Sequence, residues 1–174
     1  MIKQRLGDAV AADEDISLEQ IVAKALNEHR LTLALAESCT GGYVASQITN
    51  LAGSSAYFKG SIVSYSNEVK ENLLNVSHET LMTVGAVSED TVRQMAETVL
   101  KTLKSDIALS ISGILGPDGA TDEKPVGLVW MAICNKNITE TKEFHFFYDR
   151  LRNKELASNA ALNMIRMFIA AHYS

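Results

Sequence analysis

LTLALAESCTGGYVASQITN, residues 31–50, is the stretch whose reading decides the fold. Leu31–Ala36 is an apolar run of strand length, and such a run without alternation fits a strand buried on both faces. Ser38–Gly42 follows as a turn in which Gly41 and Gly42 supply conformational freedom. Residues 42–50 then take up a helical pattern that stops at Leu51-Ala52-Gly53-Ser54-Ser55. Strand, glycine turn, helix is the opening of an α/β unit. Two nucleophile-type side chains, Ser38 and Cys39, stand side by side in that turn.

The same alternation extends in both directions. Upstream, Ser17 and Gln20 have the spacing of a capping box, and Leu18, Ile21, Val22, Ala25 and Leu26 make an apolar stripe, predicting a helix over 18–29. Downstream, Ser61–Tyr65 reads as a second strand and Asn67–Leu74 as a short helix opened by Asn67. Ser88 caps a further helix with Glu89 and Asp90 in its first turn, which suits the helix dipole. Val92, Met95, Ala96, Val99, Leu100 and Leu103 form its apolar face. Asp106–Ser112 is a third strand, and Gly113–Gly127 is a loop rich in Gly, Pro and Asp. Leu128–Cys134 and Ile138–Phe147 flank Asn135-Lys136-Asn137, a hairpin signal with Asn available for positive φ. A last helix runs from about Arg150 to His172. The expected architecture is α/β: a three-layer α/β/α sandwich with a mixed, mostly parallel sheet over residues 17–174. Residues 1–16, polar and acidic, read as a linker or arm.

Composition narrows the function classes. The chain has 174 residues, 47% hydrophobic and 21% charged, enough to bury a core without staples. A net charge of −5 argues against direct nucleic-acid binding. No apolar run approaches the roughly 20 residues of a membrane helix, and the N-terminal residues contain no signal-peptide core. Cys39 and Cys134 are far apart in sequence and without metal spacing; two free thiols fit a reducing cytosol. The four histidines, His29, His78, His145 and His172, fall in no triad or metal pattern. Met164, Met167 and Phe168 at helical spacing read as core.

In a doubly wound sheet, ligands collect at the carboxyl ends of strands beside helix N-termini. Two glycine loops follow strands here, 38–42 and 113–119. The amides of the first can hold a phosphate or a developing oxyanion, with the Ser38 and Thr40 hydroxyls beside them. By spacing alone a plain turn with Ser38 as a cap is the simpler reading, and the loop is neither GxxxxGK[ST] nor GxGxxG. Lys70 lies one helical turn beyond a strand end; beside a serine, and partly desolvated, a lysine can act as a general base, with Tyr65 to relay a proton. A solvated surface lysine accounts for the spacing equally. Lys124-Pro125-Val126-Gly127 reads as loop closure or as ligand contact. Asp149 is a good N-cap, whereas Arg150 and Arg152 oppose the dipole of the helix they open and can serve an anion or the acidic surface.

AESCTGG, AGSSAYFKGSIVSYSNEVK, GAVSE, SISGILGPDG and EKPVG, in that order, resemble the C-terminal domain family of competence/damage-inducible CinA proteins, over roughly residues 17–172. The enzymatic members of that family are nicotinamide mononucleotide deamidases. The resemblance implies an α/β/α fold, oligomeric assembly in the cytoplasm, and hydrolysis of the carboxamide of nicotinamide mononucleotide to nicotinate mononucleotide and ammonia. Such a reaction belongs to the pyridine nucleotide cycle and NAD salvage. No cofactor or metal is implied. It further implies Ser38 as nucleophile, with Tyr65 and Lys70 activating it, and Cys39 as a bystander. Ser55 and Arg150 would complete the polar site, and Thr40, Gly41, Gly42, Gly113 and Gly116 would line the substrate pocket. Two departures from the family pattern stand out: Phe147-Tyr148 where a small pair precedes Asp-Arg, and Leu115 where alanine is common. Residues 1–16 resemble the segment that, in two-domain relatives, leads from an N-terminal domain resembling molybdopterin-binding proteins.

The chemistry agrees with that assignment. Amide hydrolysis needs a deprotonated hydroxyl, a held oxyanion and a protonated leaving ammonia. A Ser-Lys-Tyr set can supply all three without histidine, with the amides of 39–42 as oxyanion donors and Arg150 or a backbone nest for the phosphate. The competing class is a non-catalytic nucleotide-binding or assembly domain in a competence or DNA-damage context. It keeps the glycine loops but has no need of Ser38, Tyr65 and Lys70 together.

Overall fold

The structure, a computed structural model, describes residues 16–173. The expected linker over 1–16 therefore lies outside the described residues apart from Ile16. Helix α1 (Leu18–Glu28) opens with the predicted capping box: Gln20 N donates to Ser17 Oγ and Ser17 N donates to Gln20 Oε1 at 2.8 Å. Then follow β1 (Leu33–Glu37), α2 (Tyr43–Thr49), a 3-10 turn (Ser54–Ala56), β2 (Phe58–Val63), α3 (Asn67–Leu74), α4 (His78–Thr83), α5 (Glu89–Leu103), β3 (Ile107–Gly113), β4 (Leu128–Cys134), β5 (Thr139–His145) and α6 (Arg150–His172).

The five strands form one sheet in the order β2-β1-β3-β4-β5. β1 runs parallel to β2 and to β3, while β3 with β4 and β4 with β5 are antiparallel. The sheet is thus mixed in equal parts, which corrects the expectation of a mostly parallel one. The cause is the 114–127 loop: it carries no helix, so no crossover turns β4 parallel to β3.

Helices cover both faces. Leu33 and Leu35 of β1 pack with residues of α1, α2 and α6, whereas Ala34 and Ala36 pack with α3, α4 and α5. Small side chains on the second face let Met95, Ala96 and Val99 of α5 come close to the sheet. All five β1 residues are buried, as a central parallel strand requires.

Several elements differ from the sequence reading. β2 begins three residues earlier than expected and is only half-buried, because it is an edge strand without a clean pattern. α3 is capped by Ser66, whose side chain accepts from Val69 N at 3.3 Å, and not by Asn67. α4, six residues capped by Ser77, is too short to declare a periodicity. The 135–137 turn does not use positive φ; Asn135 Oδ1 accepts from Asn137 N and Ile138 N at 2.9 and 3.0 Å instead. Phe168 is core as expected and Met164 partly so, but Met167 is exposed at the surface. No helix among the described residues is long and apolar enough to cross a membrane.

Candidate active site

Parallel pairing brings the carboxyl ends of β1, β2 and β3 together, with Glu37 opposite Val63 on one side and Ile111 on the other. Ser38 and Tyr65 lie on the segments leaving β1 and β2, and Gly113 ends β3. They surround a cavity of about 220 Å³ lined by Ser38, Cys39, Tyr65, Lys70, Gly113, Leu115 and Arg150, among others.

Lys70 comes to this cavity from α3. The Ser66 cap sets the start of the helix, and one turn later the Lys70 side chain is directed inward, 2% exposed. Its Nζ lies 2.9 Å from Ser38 Oγ and donates to Ser64 O at 2.7 Å. Burial lowers the Lys70 pKa from its ordinary value, because desolvation penalises the ammonium. The neighbouring Cys39 opposes this more weakly. The pair is therefore a hydroxyl held against an amine biased toward its neutral form.

Cys39 has the opposite character. It is a free, buried thiol whose pKa is pushed up to about 12, chiefly by burial, with its own amide and that of Thr40 pulling weakly the other way. At neutral pH it stays a thiol, a poor nucleophile. The adjacent residues Ser38 and Cys39 are thus separated by environment.

Arg150, at the first position of α6, spans the cavity mouth. Its guanidinium donates to Gly116 O at 2.6 Å and to the Tyr65 hydroxyl at 3.0 Å. Tyr65 is 64% exposed, and its hydroxyl accepts this bond from Arg150 while Lys70 Nζ is bonded to Ser38 and Ser64. Asp149 caps α6 as predicted, accepting from Leu151 N and Arg152 N.

The remaining sequence candidates divide. Gly113 lines the cavity, and glycine is needed there, since a Cβ would lie 2.6 Å from Val129 Cγ2 across the β3–β4 pair. Gly116 does not line the cavity but contributes its carbonyl to Arg150. Thr40, Gly41 and Gly42 do not line the cavity. Thr40 is buried with its hydroxyl donating to Glu37 at 2.7 Å, Gly42 N donates to Glu37 at 3.1 Å, and Gly41 N donates to Ser38 O at 3.1 Å. Two of the four amides expected to serve an oxyanion are therefore engaged within the turn. Ser55 is set apart: it precedes β2, whose start pairs with the start of β1, so it lies at the other end of the sheet from Ser38. Of the two departures, Tyr148 is 62% exposed and does not line the cavity, whereas Leu115 does and is buried.

Lys124, read in sequence as loop closure or ligand contact, and several residues without a sequence signal also shape the site. Lys124 closes a loop: its Nζ donates to the carbonyls of Val84 and Val87, fixing the segment that brings Ala86 and Val87 to the cavity wall. Ser112 Oγ donates to Ala86 O at 2.7 Å. Asn153, fully buried in α6, donates to Leu115 O at 3.1 Å and Tyr148 O at 2.8 Å and accepts from Tyr148 N at 3.0 Å. Asn67 and Asp118 also reach the cavity. Polar residues on helices and loops look like solvated positions in sequence, and only the tertiary contacts distinguish these. Among the described residues no group of three or more His, Cys, Asp or Glu is arranged to hold a metal ion.

Comparison with known proteins agrees with the motif resemblance. The CinA C-terminal domain profile matches residues 15–169. A competence-damage inducible protein homologue of Caldicellulosiruptor saccharolyticus is 46% identical over 168 residues, covering 97% of this chain and 41% of its own length. A CinA-like protein of Geobacter sulfurreducens is 43% identical over 166 residues, covering 95% and 40%. The chain thus spans about two fifths of the curated relatives it matches. The crystal structure of competence damage-inducible protein A from Klebsiella pneumoniae superposes with a TM-score of 0.86 at 37% identity, over 90% of this chain and 97% of that one. That of competence/damage inducible protein CihA from Agrobacterium tumefaciens gives 0.83 at 35% identity, over 88% and 95%. On the breadth of these matches, the chain belongs to the CinA C-terminal domain family.

Proposed function

We propose that this cavity hydrolyses the carboxamide of nicotinamide mononucleotide, giving nicotinate mononucleotide and ammonia, with Ser38 as the nucleophile. The observation that carries the reading is the buried Lys70 amine 2.9 Å from the Ser38 hydroxyl. Neutral Lys70 takes the proton of Ser38 as Oγ attacks the carboxamide carbon, and the tetrahedral oxyanion is held by amides of the turn. Lys70 then gives that proton to the departing ammonia. Water attacks the acyl-Ser38 ester with Lys70 again as base, releasing the carboxylate and restoring the hydroxyl. Arg150 supplies the cation for the substrate phosphate, and Tyr65, hydrogen-bonded to it, orients the nucleotide at the mouth. Only water is consumed beside the substrate.

The serine–lysine pair by itself supports amide or ester hydrolysis; the choice of nicotinamide mononucleotide rests on the motif resemblance. The unit doing this chemistry is read as residues 17–174, a homo-oligomer in the cytoplasm, with 1–16 as a linker to a further domain in longer relatives. A binding or assembly module has no use for a desolvated lysine against a serine. Ammonia release from nicotinamide mononucleotide tests the reading. The parent and Cys39→Ala are expected to release ammonia at similar rates, and Ser38→Ala to lose activity with its melting curve unchanged. Full activity in Ser38→Ala would remove the nucleophile assignment.

A further inference from the structure

Glu37, the last residue of β1 and the neighbour of Ser38, is a carboxylate with no exposure to solvent. A buried charge is costly unless hydrogen bonds replace its water. Glu37 accepts five. Oε2 takes the Thr40 hydroxyl at 2.7 Å, Gly42 N at 3.1 Å and Val44 N at 3.1 Å, while Oε1 takes Ala45 N at 2.9 Å and the Ser61 hydroxyl at 3.2 Å. These donors come from the turn, from the first turn of α2 and from β2. Gly42 occupies the cap position of α2 and has no side chain to cap with, so the helix is capped from the strand.

The consequence falls on Ser38. The chain leaves Glu37, passes through Ser38 and the left-handed residues Gly41 and Gly42, and returns to the same carboxylate at Gly42, Val44 and Ala45. Both ends of the loop that carries Ser38 are thereby fixed to one group. Ser38 N is anchored to Ile111 O at 2.9 Å, and its hydroxyl is left directed at Lys70. We propose that Glu37 is the positioning residue for Ser38, its carboxylate holding the 38–45 loop in the one conformation that places the hydroxyl on the Lys70 amine. The inference rests on Ser38 being the nucleophile.

The test reads Ser38 reactivity directly. A fluorophosphonate reacts with an activated serine by forming an Oγ–P bond and expelling fluoride, with the hydroxyl proton passing to the base. Its labelling of Ser38 is timed by intact mass in the parent, in Glu37→Gln and in Thr40→Val, at temperatures where circular dichroism shows each fully folded. Glu37→Gln keeps the shape but sets an NH2 against N–H donors. Labelling is expected to slow about 10- to 100-fold, the scale of a misplaced reacting group. Thr40→Val, which removes the shortest of the five bonds, is expected to slow it several-fold. Under the same fully folded conditions, where a smaller folded fraction cannot lower the rate, kcat for nicotinamide mononucleotide is expected to fall while KM stays within about twofold. Folded variants labelled at the parent rate overturn the proposal; if Glu37→Gln does not fold, Thr40→Val decides it. A parent that is not labelled at Ser38 removes the nucleophile reading instead, and the positioning role with it.

Discussion

Lys70 shows how one residue can be both a cost and a tool. Desolvation lowers its pKa below the ordinary lysine value, so the amine is more readily neutral than a surface lysine. A base must be neutral to accept the Ser38 proton. The rate constant kcat/KM for ammonia release is therefore expected to rise with pH through a midpoint below 10.5 and to level off above it. Lys70→Met removes that rise and about 10²–10⁴-fold of activity. The linkage to stability has the opposite benefit. Because the folded pKa is depressed, the folded state holds fewer protons than the unfolded state between the two pKa values, and stability rises with pH there. Below the folded pKa the burial cost is fully present. Lys70→Met escapes it, so its melting temperature relative to the parent is expected to be higher at pH 7 than at pH 10. The Ser64 carbonyl it leaves unpaired shifts both pH values alike. A difference that does not change between pH 7 and 10 would show that Lys70 is not depressed.

At the scale of elements, α6 ties the two walls of the site together through Asn153. That side chain satisfies Leu115 O in the 113–127 loop and both backbone groups of Tyr148, immediately before the Asp149 cap and Arg150. Asn153→Ala strands these groups in the interior and is expected to destabilise the fold by about 1–3 kcal/mol in denaturant unfolding. Arg150 loses its fixed entry while Ser38 and Lys70 keep theirs, so KM is expected to rise more than kcat falls. The reverse split would place Asn153 on the chemistry and not on the mouth. Elements of this kind mark where the sequence can be read and where it cannot. Ser17 with Gln20, Ser88 and Asp149 announce their helices because a cap is a local contact between residues three or fewer apart. Ser38, Lys70 and Arg150 stand in recognisable motifs. Their meeting depends on the parallel β1–β2 register and the Ser66 cap of α3. Asn153 stands in no such motif, and Glu37 stands in AESCTGG without its role being readable there. Asn153 reaches the loop after β3, and Glu37 reaches from β1 to the following turn, α2 and β2, so each polar residue looks solvated until the chain folds. The edge position of β2 is likewise a tertiary fact, and both ends of that strand differ from the sequence reading. The helix-free loop before β4 is legible in sequence, but the antiparallel β3–β4 pairing that follows from it shows only in the sheet.

The described residues form one sheet with an apolar core on each side, and the site sits at the carboxyl ends of its parallel strands. On one face Ile165 of α6 belongs to the same apolar cluster as Leu33 and Leu35; on the other, Met95 of α5 belongs to that of Ala34 and Ala36. Both side chains are fully buried, and the sheet stands between them. Ile165→Val is expected to cost about 0.5–1.5 kcal/mol and Met95→Ala about 2–5 kcal/mol, from lost burial and residual cavity. Because neither shares a partner with the other, the double variant should lose the sum to within about 0.5 kcal/mol. The faces are independent in packing yet joined by the same hydrogen-bonded strands, so unfolding is expected to remain a single transition in each variant. Urea unfolding followed by both tryptophan fluorescence and circular dichroism measures both quantities. Trp130 lies in β4, beside the α5 face, and reports on that side, while the helical signal reports on all layers. Coincident curves with additive costs fit two cores locked by one sheet. Separated curves, with the fluorescence change moving alone in Met95→Ala, would mean that the α5 layer can open while the rest of the fold stands, and with it the wall that carries Ala86 and Val87 into the cavity.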